Sequence, residues 1–242
     1  MICSMAPALV LLHGFTHTGA SWDRVVAALG ERYLPVAPDI RGHGSASATA
    51  PVTLEAVIED VAALAPGTFE LAGYSMGGRI ALHVALALPE RVRRLILVGA
   101  SPGIEDAGER ARRRAADEQL AQEAQSSTVE AFAQRWANTP VLGGLPPEVA
   151  ATVHQDRLRS TPAGLAAALR GLGTGALPPL WGRLGELRIP VSLLVGERDE
   201  KFRRIATQMA SRMADPEVIV VPRAGHAVHL EAPNQTAAAI VA

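Results

Sequence analysis

Short apolar runs alternate with longer amphipathic stretches along most of the chain. The apolar runs lie at residues 8–12, 33–38, 68–73, 94–99, 191–196 and 217–222, and most of them end in Gly or Pro. Short runs bounded in this way are typical of buried strands. Residues 20–30, 53–65 and 77–92 have the apolar spacing of helices. The alternation predicts an α/β fold with a mostly parallel sheet and helices on both of its faces.

The alternation stops between about residues 103 and 185. This stretch is rich in Ala, Arg and Gln, is interrupted by Pro and Gly, and has no strand pattern. We interpret it as a helical cap inserted between two strands. The predicted organisation is a core of residues 1–102 and 186–242 with a cap of residues 103–185. The cap should lie over the carboxyl edge of the sheet, where ligands bind in open α/β folds.

Composition and charge exclude several classes of partner. The 242 residues are 48% hydrophobic, and the formal net charge of −1 gives no general attraction to nucleic acid or anionic membranes. The single cysteine, Cys3, excludes an internal disulfide. The N-terminal segment has no basic stretch, and no apolar run reaches the ~18–20 residues that span a membrane. We therefore expect a cytoplasmic monomer or small homo-oligomer that binds neither nucleic acid nor membranes.

The segment GYSMG at residues 73–77 places Ser75 between Gly73 and Gly77. A predicted strand precedes it and a predicted helix, over 77–88, follows it, which is the context of a nucleophile elbow. The turn is tight enough that a flanking side chain would collide with neighbouring backbone, so glycine is needed there. The serine oxygen then lies at a helix N-terminus, where developing negative charge is favoured.

A catalytic serine needs a base and a group that orients the base. In this context the chain order is Ser, then Asp, then His. Asp199 follows one predicted strand and His226 follows the next, so both should reach the edge of the sheet that holds Ser75. His229, three residues later, is the rival base, and we rank it below His226 because it should enter the next helix.

An oxyanion formed at this serine needs two backbone donors. Met76 follows the serine directly and should supply one amide. The segment HGF at residues 13–15 follows the first predicted strand, and its Phe15 amide is the best candidate for the other.

Together these segments resemble the α/β-hydrolase superfamily. The matching motifs are LLHGF, DIRGHGSAS, GYSMGG, GERD and AGHAVHLEAP, which occur in this order from residue 11 to residue 233. Longer stretches, LHGFTHTGASW and GASPGIEDAGERARRRAADEQLA among them, resemble the 2-succinyl-6-hydroxy-2,4-cyclohexadiene-1-carboxylate synthase family of menaquinone biosynthesis. The second stretch lies in the cap, which varies most within the superfamily, so it carries more weight than the triad. One departure is His17, where that family usually has a small residue.

The resemblance implies a small anionic substrate with three carboxylates, which arginine forks recognise well. Arg79 lies early in the helix after the serine and can stay near the site, although a surface or ion-paired role is open. In the cap, the resemblance favours Arg113 and Arg159 as substrate-binding residues. It also implies that Trp136 and Tyr74 bind the substrate. A role for Trp136 in the core of the cap is equally compatible with the sequence.

The activity that the resemblance implies is a lyase reaction that removes pyruvate without a metal or organic cofactor. Ser75 would act as the base, made basic by His226 and Asp199. The first alternative is a serine hydrolase, namely a carboxylesterase, thioesterase or C–C bond hydrolase, because the same triad serves all of these. A non-enzymatic member of the superfamily is the second, and the intact triad disfavours it. The GLGTG segment at 171–175 lacks the spacing and the preceding strand of a nucleotide site.

Overall fold

The structure is a computed structural model that describes residues 6–139 and 145–242. Six strands form one sheet: β1 (Ala8–Leu12), β2 (Leu34–Val36), β3 (Phe69–Tyr74), β4 (Val92–Val98), β5 (Val191–Gly196) and β6 (Pro216–Val221). Their order is β2-β1-β3-β4-β5-β6, and every neighbouring pair is parallel. The chain changes its direction of travel across the sheet at β1. A crevice at the carboxyl ends of β1 and β3 is therefore the expected ligand site of such a sheet.

Helices cover both faces of the sheet. The described α-helices are α1 (Asp23–Leu29), α2 (Leu54–Leu64), α3 (Met76–Ala87), α4 (Ala107–Gln125), α5 (Val129–Ala137), α6 (Pro147–Arg157), α7 (Pro162–Leu172), α8 (Glu200–Ala210), α9 (Val228–Glu231) and α10 (Pro233–Val241). Successive residues of a strand point to opposite faces. In β1, Leu9 and Leu11 accordingly pack in the core with α1 and α10, whereas Val10 and Leu12 pack in the core with α2, α3 and α8.

The observed elements confirm the predicted α/β fold, because each strand overlaps one of the six apolar runs. The prediction of helix throughout 77–92 is wrong at its end. Helix α3 stops at Ala87, and Leu88 leaves the helical region with φ −124° and ψ 53°. Leu88 precedes Pro89, whose ring disfavours helical geometry in the residue before it. The freed residues allow β4 to begin at Val92.

Between β4 and β5 the described residues form helices α4 to α7 and a 3₁₀ helix at Trp181–Glu186, with no strand among them. Helices α4, α5 and α7 share a small core of their own, in which alanines allow close approach. Its buried members are Ala121, Ala124, Phe132, Leu165, Ala166 and Leu169. Phe15, which follows β1, packs against this core and joins it to the sheet.

The segment at the end of α6 is hydrogen-bonded to loops that leave the sheet. The Thr18 amide donates to the Asp156 carboxylate over 3.0 Å. The Gly44 amide donates to the Ser160 hydroxyl over 3.0 Å. The inserted helices are therefore tied to the loops after β1 and after β2.

In the described part of the chain, no helix is both long and apolar enough to cross a membrane.

Buried histidines should make the fold sensitive to mild acid. Burial lowers the pKa of His13 to about 4, that of His43 to about 3 and that of His83 to about 4. In the unfolded chain these groups titrate near 6.5, so between pH 6.5 and 4 the unfolded state binds more protons than the folded state. Within this window, each such histidine lowers the free energy of unfolding by about 1.4 kcal/mol for every unit by which the pH falls.

We expect urea denaturation to give a free energy of unfolding roughly 4 kcal/mol lower at pH 5.5 than at pH 7. A His83→Gln variant should lose roughly a third of this dependence, because it removes one of the three buried histidines. A stability that stays constant between pH 7 and 5.5 would contradict the expectation.

Candidate active site

Ser75 lies in the sharp turn between β3 and α3. Its φ of 52° is in the left-handed region that residues with a side chain rarely adopt. The flanking glycines make this turn possible, because a Cβ on Gly77 would lie 2.5 Å from the carbonyl oxygen of His13, and one on Gly73 would lie 2.6 Å from the carbonyl carbon of Gly77. The Ser75 oxygen thus stands at the N-terminus of a buried helix, as the sequence motif predicts.

The structure brings Ser75, His226 and Asp199 together. His226 Nε2 lies 3.2 Å from the Ser75 hydroxyl, and His226 Nδ1 lies 2.7 Å from Asp199 Oδ2. A carboxylate can only accept, so Nδ1 carries the proton and Nε2 presents its lone pair to the serine. This arrangement can remove a proton from the serine oxygen or, through it, from a substrate.

Further contacts fix the orientation of the acid and the base. Asp199 caps α8, and its Oδ1 accepts from the Phe202 amide over 3.2 Å. The Phe202 ring packs against the His226 ring with their centroids 4.4 Å apart. The Gly225 amide, next to the histidine, donates to the Glu231 carboxylate over 3.0 Å. These contacts hold the imidazole in one orientation.

The two amides predicted for an oxyanion lie at the carboxyl ends of adjacent strands. Phe15 follows β1, and Met76 is the first residue of α3 after β3. Among the described residues, neither amide donates to a protein acceptor. Both residues line the same cavity as Ser75. Their role as donors stays a prediction, with geometry that is compatible with it.

The cavity beside Ser75 has a volume of about 1060 Å³. That is at the upper end of the range for small-molecule sites. Aromatic rings of Phe15, Trp136, Trp181 and Phe202 form part of its wall. Its charged lining residues are Arg79, Arg112, Arg113, Lys201, Glu105, Asp106 and Glu109.

Arg79 reaches this cavity from α3 with an incompletely satisfied guanidinium. Its side chain is buried, Nη2 donates to the Leu172 carbonyl over 3.1 Å, and Nε has no partner among the described residues. Burial and the neighbouring charge of Arg113 lower the pKa of Arg79 to about 10. Two cations therefore lie close together at one wall of the cavity, and a bound anion would relieve their repulsion.

Arg113 and Trp136 also line the cavity. Arg113 Nε donates to Asp117 over 2.7 Å, which leaves its Nη atoms available for other contacts. The Trp136 ring meets the Phe15 ring edge-on with centroids 5.0 Å apart. This contact places the tryptophan over the candidate oxyanion loop.

The structure does not bring Arg159 or Tyr74 to the cavity wall. The Arg159 side chain is 64% exposed, with Nε 3.9 Å from the Asp156 carboxylate. Tyr74 is buried behind the triad, with its ring 5.3 Å from that of His226. Arg157 is the arginine of this segment that turns inward, and its Nε donates to Thr16 Oγ1 over 3.2 Å.

Sequence reasoning missed Arg157 and Lys201. Arg157 falls four residues after Val153 and eight after Val149, on the buried face of α6, so helical periodicity would have found it. Lys201 lies two residues after Asp199, in the first turn of α8, and that short spacing from a predicted site residue was its signal.

Within the described ranges, no group of three or more His, Cys, Asp or Glu side chains is arranged to hold a metal ion.

Comparison with known proteins supports a common ancestry over nearly the whole chain. Residues 9–239 match the sequence model of the Alpha/beta hydrolase family. The 2-succinyl-6-hydroxy-2,4-cyclohexadiene-1-carboxylate synthase of Escherichia coli O1:K1 is 32% identical over 94% of this chain and 89% of its own. A Bacillus subtilis (strain 168) protein that bears the same synthase name provisionally is 36% identical over 94% of this chain and 86% of its own.

Among solved structures, MenH from S. aureus superposes on the chain with a TM-score of 0.93. The match has 30% sequence identity and covers 99% of this chain and 94% of that one. The similarity therefore includes the helices between β4 and β5, not only the sheet.

Proposed function

Since the chain belongs to the alpha/beta hydrolase family, we propose that it uses the Ser75 site for an elimination instead of a hydrolysis. The proposed reaction converts 2-succinyl-5-enolpyruvyl-6-hydroxy-3-cyclohexene-1-carboxylate to 2-succinyl-6-hydroxy-2,4-cyclohexadiene-1-carboxylate and pyruvate. The observation that carries the proposal is the pair of neighbouring arginines, Arg79 and Arg113, in the cavity that also holds Ser75 and His226. The names of the synthase relatives point to the same reaction.

The substrate's connectivity makes a proton transfer sufficient for this reaction. The ring proton at C2 lies next to the succinyl ketone, and the C3–C4 double bond links C2 to the enolpyruvyl oxygen on C5. The electron pair left by the proton forms a C2=C3 double bond, the π pair of the C3–C4 double bond shifts to form C4=C5, and the C5–O bond breaks. Pyruvate departs as its enolate, which takes up a proton as His226 returns to its neutral form and then tautomerises to the ketone. The ring product is the 2,4-diene. Water is not consumed, so a serine hydrolase triad can act here as a base.

In this proposal Ser75 takes the C2 proton while its own proton passes to His226 Nε2. Asp199 stabilises the resulting imidazolium, and acid–base catalysis of this kind contributes about 10²–10⁴-fold. Negative charge moves to the ketone oxygen as the proton leaves. The amides of Phe15 and Met76 would stabilise that charge at the helix N-terminus.

Two of the substrate's three carboxylates have arginine partners in this proposal. Arg79, whose Nε has no partner in the described ranges, and Arg113 would each bind one carboxylate. Trp136 would pack on the ring. In this proposal residues 103–185 form the cap, which supplies Arg113 and Trp136, and residues 1–102 and 186–242 form the core. A cytoplasmic location and the oligomeric state remain predictions.

The test compares two reactions of the purified protein. We expect rapid pyruvate release from the enzymatically generated enolpyruvyl precursor and slow hydrolysis of a short p-nitrophenyl ester. Pyruvate release is measured with a coupled lactate dehydrogenase assay. Precursor incubated without the protein gives the background rate. Efficient ester hydrolysis with pyruvate release no faster than background would contradict the proposal and favour the serine hydrolase alternative.

A further inference from the structure

The loop that carries Phe15 has a backbone that its own residues do not favour. Thr16, the next residue, has φ 68° and is fully buried. A β-branched residue in the left-handed region is strained, and such backbone persists only where surrounding contacts hold it. A hydrogen bond of 3.1 Å from the His17 amide to the Gly14 carbonyl closes a turn at this point. It provides only part of that restraint.

A second restraint comes from Asp156, which lies 138 positions after Thr18 in the chain. Asp156, near the end of α6, accepts from the Thr18 amide through Oδ2 over 3.0 Å and from the Thr18 hydroxyl through Oδ1. His17 Nδ1 lies 3.4 Å from the same carboxylate, and Arg159 Nε lies 3.9 Å away at its exposed side. Burial opposes the charge of Asp156, yet the contacts from His17 and Thr18 lower its pKa to about 2. The carboxylate is therefore ionised and held by several donors.

The neighbouring residue acts on the same loop. Arg157 Nε donates to the hydroxyl of Thr16 over 3.2 Å. Two consecutive residues of α6 thus contact this loop: Arg157 bonds to the strained Thr16, and Asp156 bonds to Thr18. His17, the position that departs from the resembling family, belongs to this cluster through Asp156.

We propose that Asp156 is a positioning residue for the oxyanion donor. By accepting from both the amide and the hydroxyl of Thr18, it keeps the backbone of residues 14–18 in the geometry that points the Phe15 amide at the developing charge. Asp156 does not line the cavity, and in the described part of the chain it has no hydrogen bond to Ser75, His226 or Asp199, so it acts through the loop. The inference rests on the proposed function only in that both assign the oxyanion to Phe15.

The decisive variant is Asp156→Asn, which keeps the size of the side chain but places an NH₂ group against donors. We expect kcat to fall about 10- to 100-fold, somewhat less than for complete removal of an oxyanion donor. KM should change by less than about threefold, because the arginines that bind the substrate are unaffected. Hydrolysis of a p-nitrophenyl ester should fall by a similar factor, since it needs the same donors.

A pair of variants at the partner residue separates positioning from general stability. Thr18→Ser retains both donors to Asp156 and should keep kcat near the wild-type value, whereas Thr18→Val should lower it. Asp60→Asn, which removes a surface carboxylate paired with Arg41, is the matched control and should leave kcat unchanged. Amide hydrogen exchange of the peptide covering residues 13–19 should accelerate in Asp156→Asn and not in Asp60→Asn.

An Asp156→Asn protein with wild-type kcat and unchanged exchange in residues 13–19 would overturn the proposal, as would a rise in KM with constant kcat. If that variant does not fold, equal kcat values for Thr18→Ser and Thr18→Val would overturn it instead. Failure of the wild-type protein to release pyruvate would contradict the proposed function alone, because ester hydrolysis still tests the positioning role.

Discussion

Ser75→Ala is expected to lower the rate of pyruvate release by about 10³-fold or more. The substitution removes the oxygen that takes the substrate proton and leaves His226 Nε2, 3.2 Å from that oxygen, without its partner. The cavity, its arginines and the oxyanion amides remain, so substrate should still bind. Steady-state kinetics should therefore show the loss in kcat, with KM within a few-fold of the wild-type value. Ester hydrolysis should be lost as well, because it also requires this oxygen.

A serine in the same cavity provides the control. Ser101 also lines the cavity, but the hydrogen bond of His226 Nε2 is to Ser75 and not to Ser101. Ser101→Ala should keep kcat within a few-fold of the wild type. Pyruvate release by Ser75→Ala at the wild-type rate would remove the serine from the mechanism and require another base.

Arg113→Ala is expected to lower kcat/KM for the tricarboxylate substrate by about 10²-fold, which corresponds to ~3 kcal/mol for a charge-assisted hydrogen bond. The loss should be selective. Hydrolysis of a small neutral ester should change by less than about threefold, because such an ester has no carboxylate for Arg113 to bind. The measurement is the ratio of the two kcat/KM values in one preparation.

Arg114→Ala is the matched control, since Arg114 is the next residue of α4, is exposed and does not line the cavity. Arg113 also pairs with the buried carboxylate of Asp117, so the thermal midpoint of each variant should be recorded. Equal losses for the anionic and the neutral substrate would indicate disruption of α4 rather than loss of a carboxylate contact.

The sequence allowed the sheet and the serine turn to be predicted because both depend on local constraints. Short apolar runs marked each strand. The Gly-x-Ser-x-Gly pattern marked a turn whose glycines have no room for a Cβ. Asp199 and His226 could be chosen because parallel strands place the residues that follow them at one edge of the sheet.

The inserted helices were predicted less completely, because their residues meet the sheet through contacts that are distant in sequence. Arg159 and Arg157 are two residues apart, and only the orientation of α6 decides that Arg157 turns inward. The partner of Thr18 lies 138 residues away, and no local pattern connects it with Asp156. Helix periodicity limits which face is buried but does not show what that face touches.

The hydrogen bonds at the end of α6 have a consequence for recombination between relatives. A chimera that exchanges only residues 103–185 would keep the serine, the histidine and the aspartate from one parent. It would also replace Asp156 and Ser160, the acceptors for the amides of Thr18 and Gly44. Backbone donors left without acceptors inside a protein are costly. Crossover points should therefore let residues 13–18 and 42–47 be inherited together with the inserted helices, although they lie far apart in the gene.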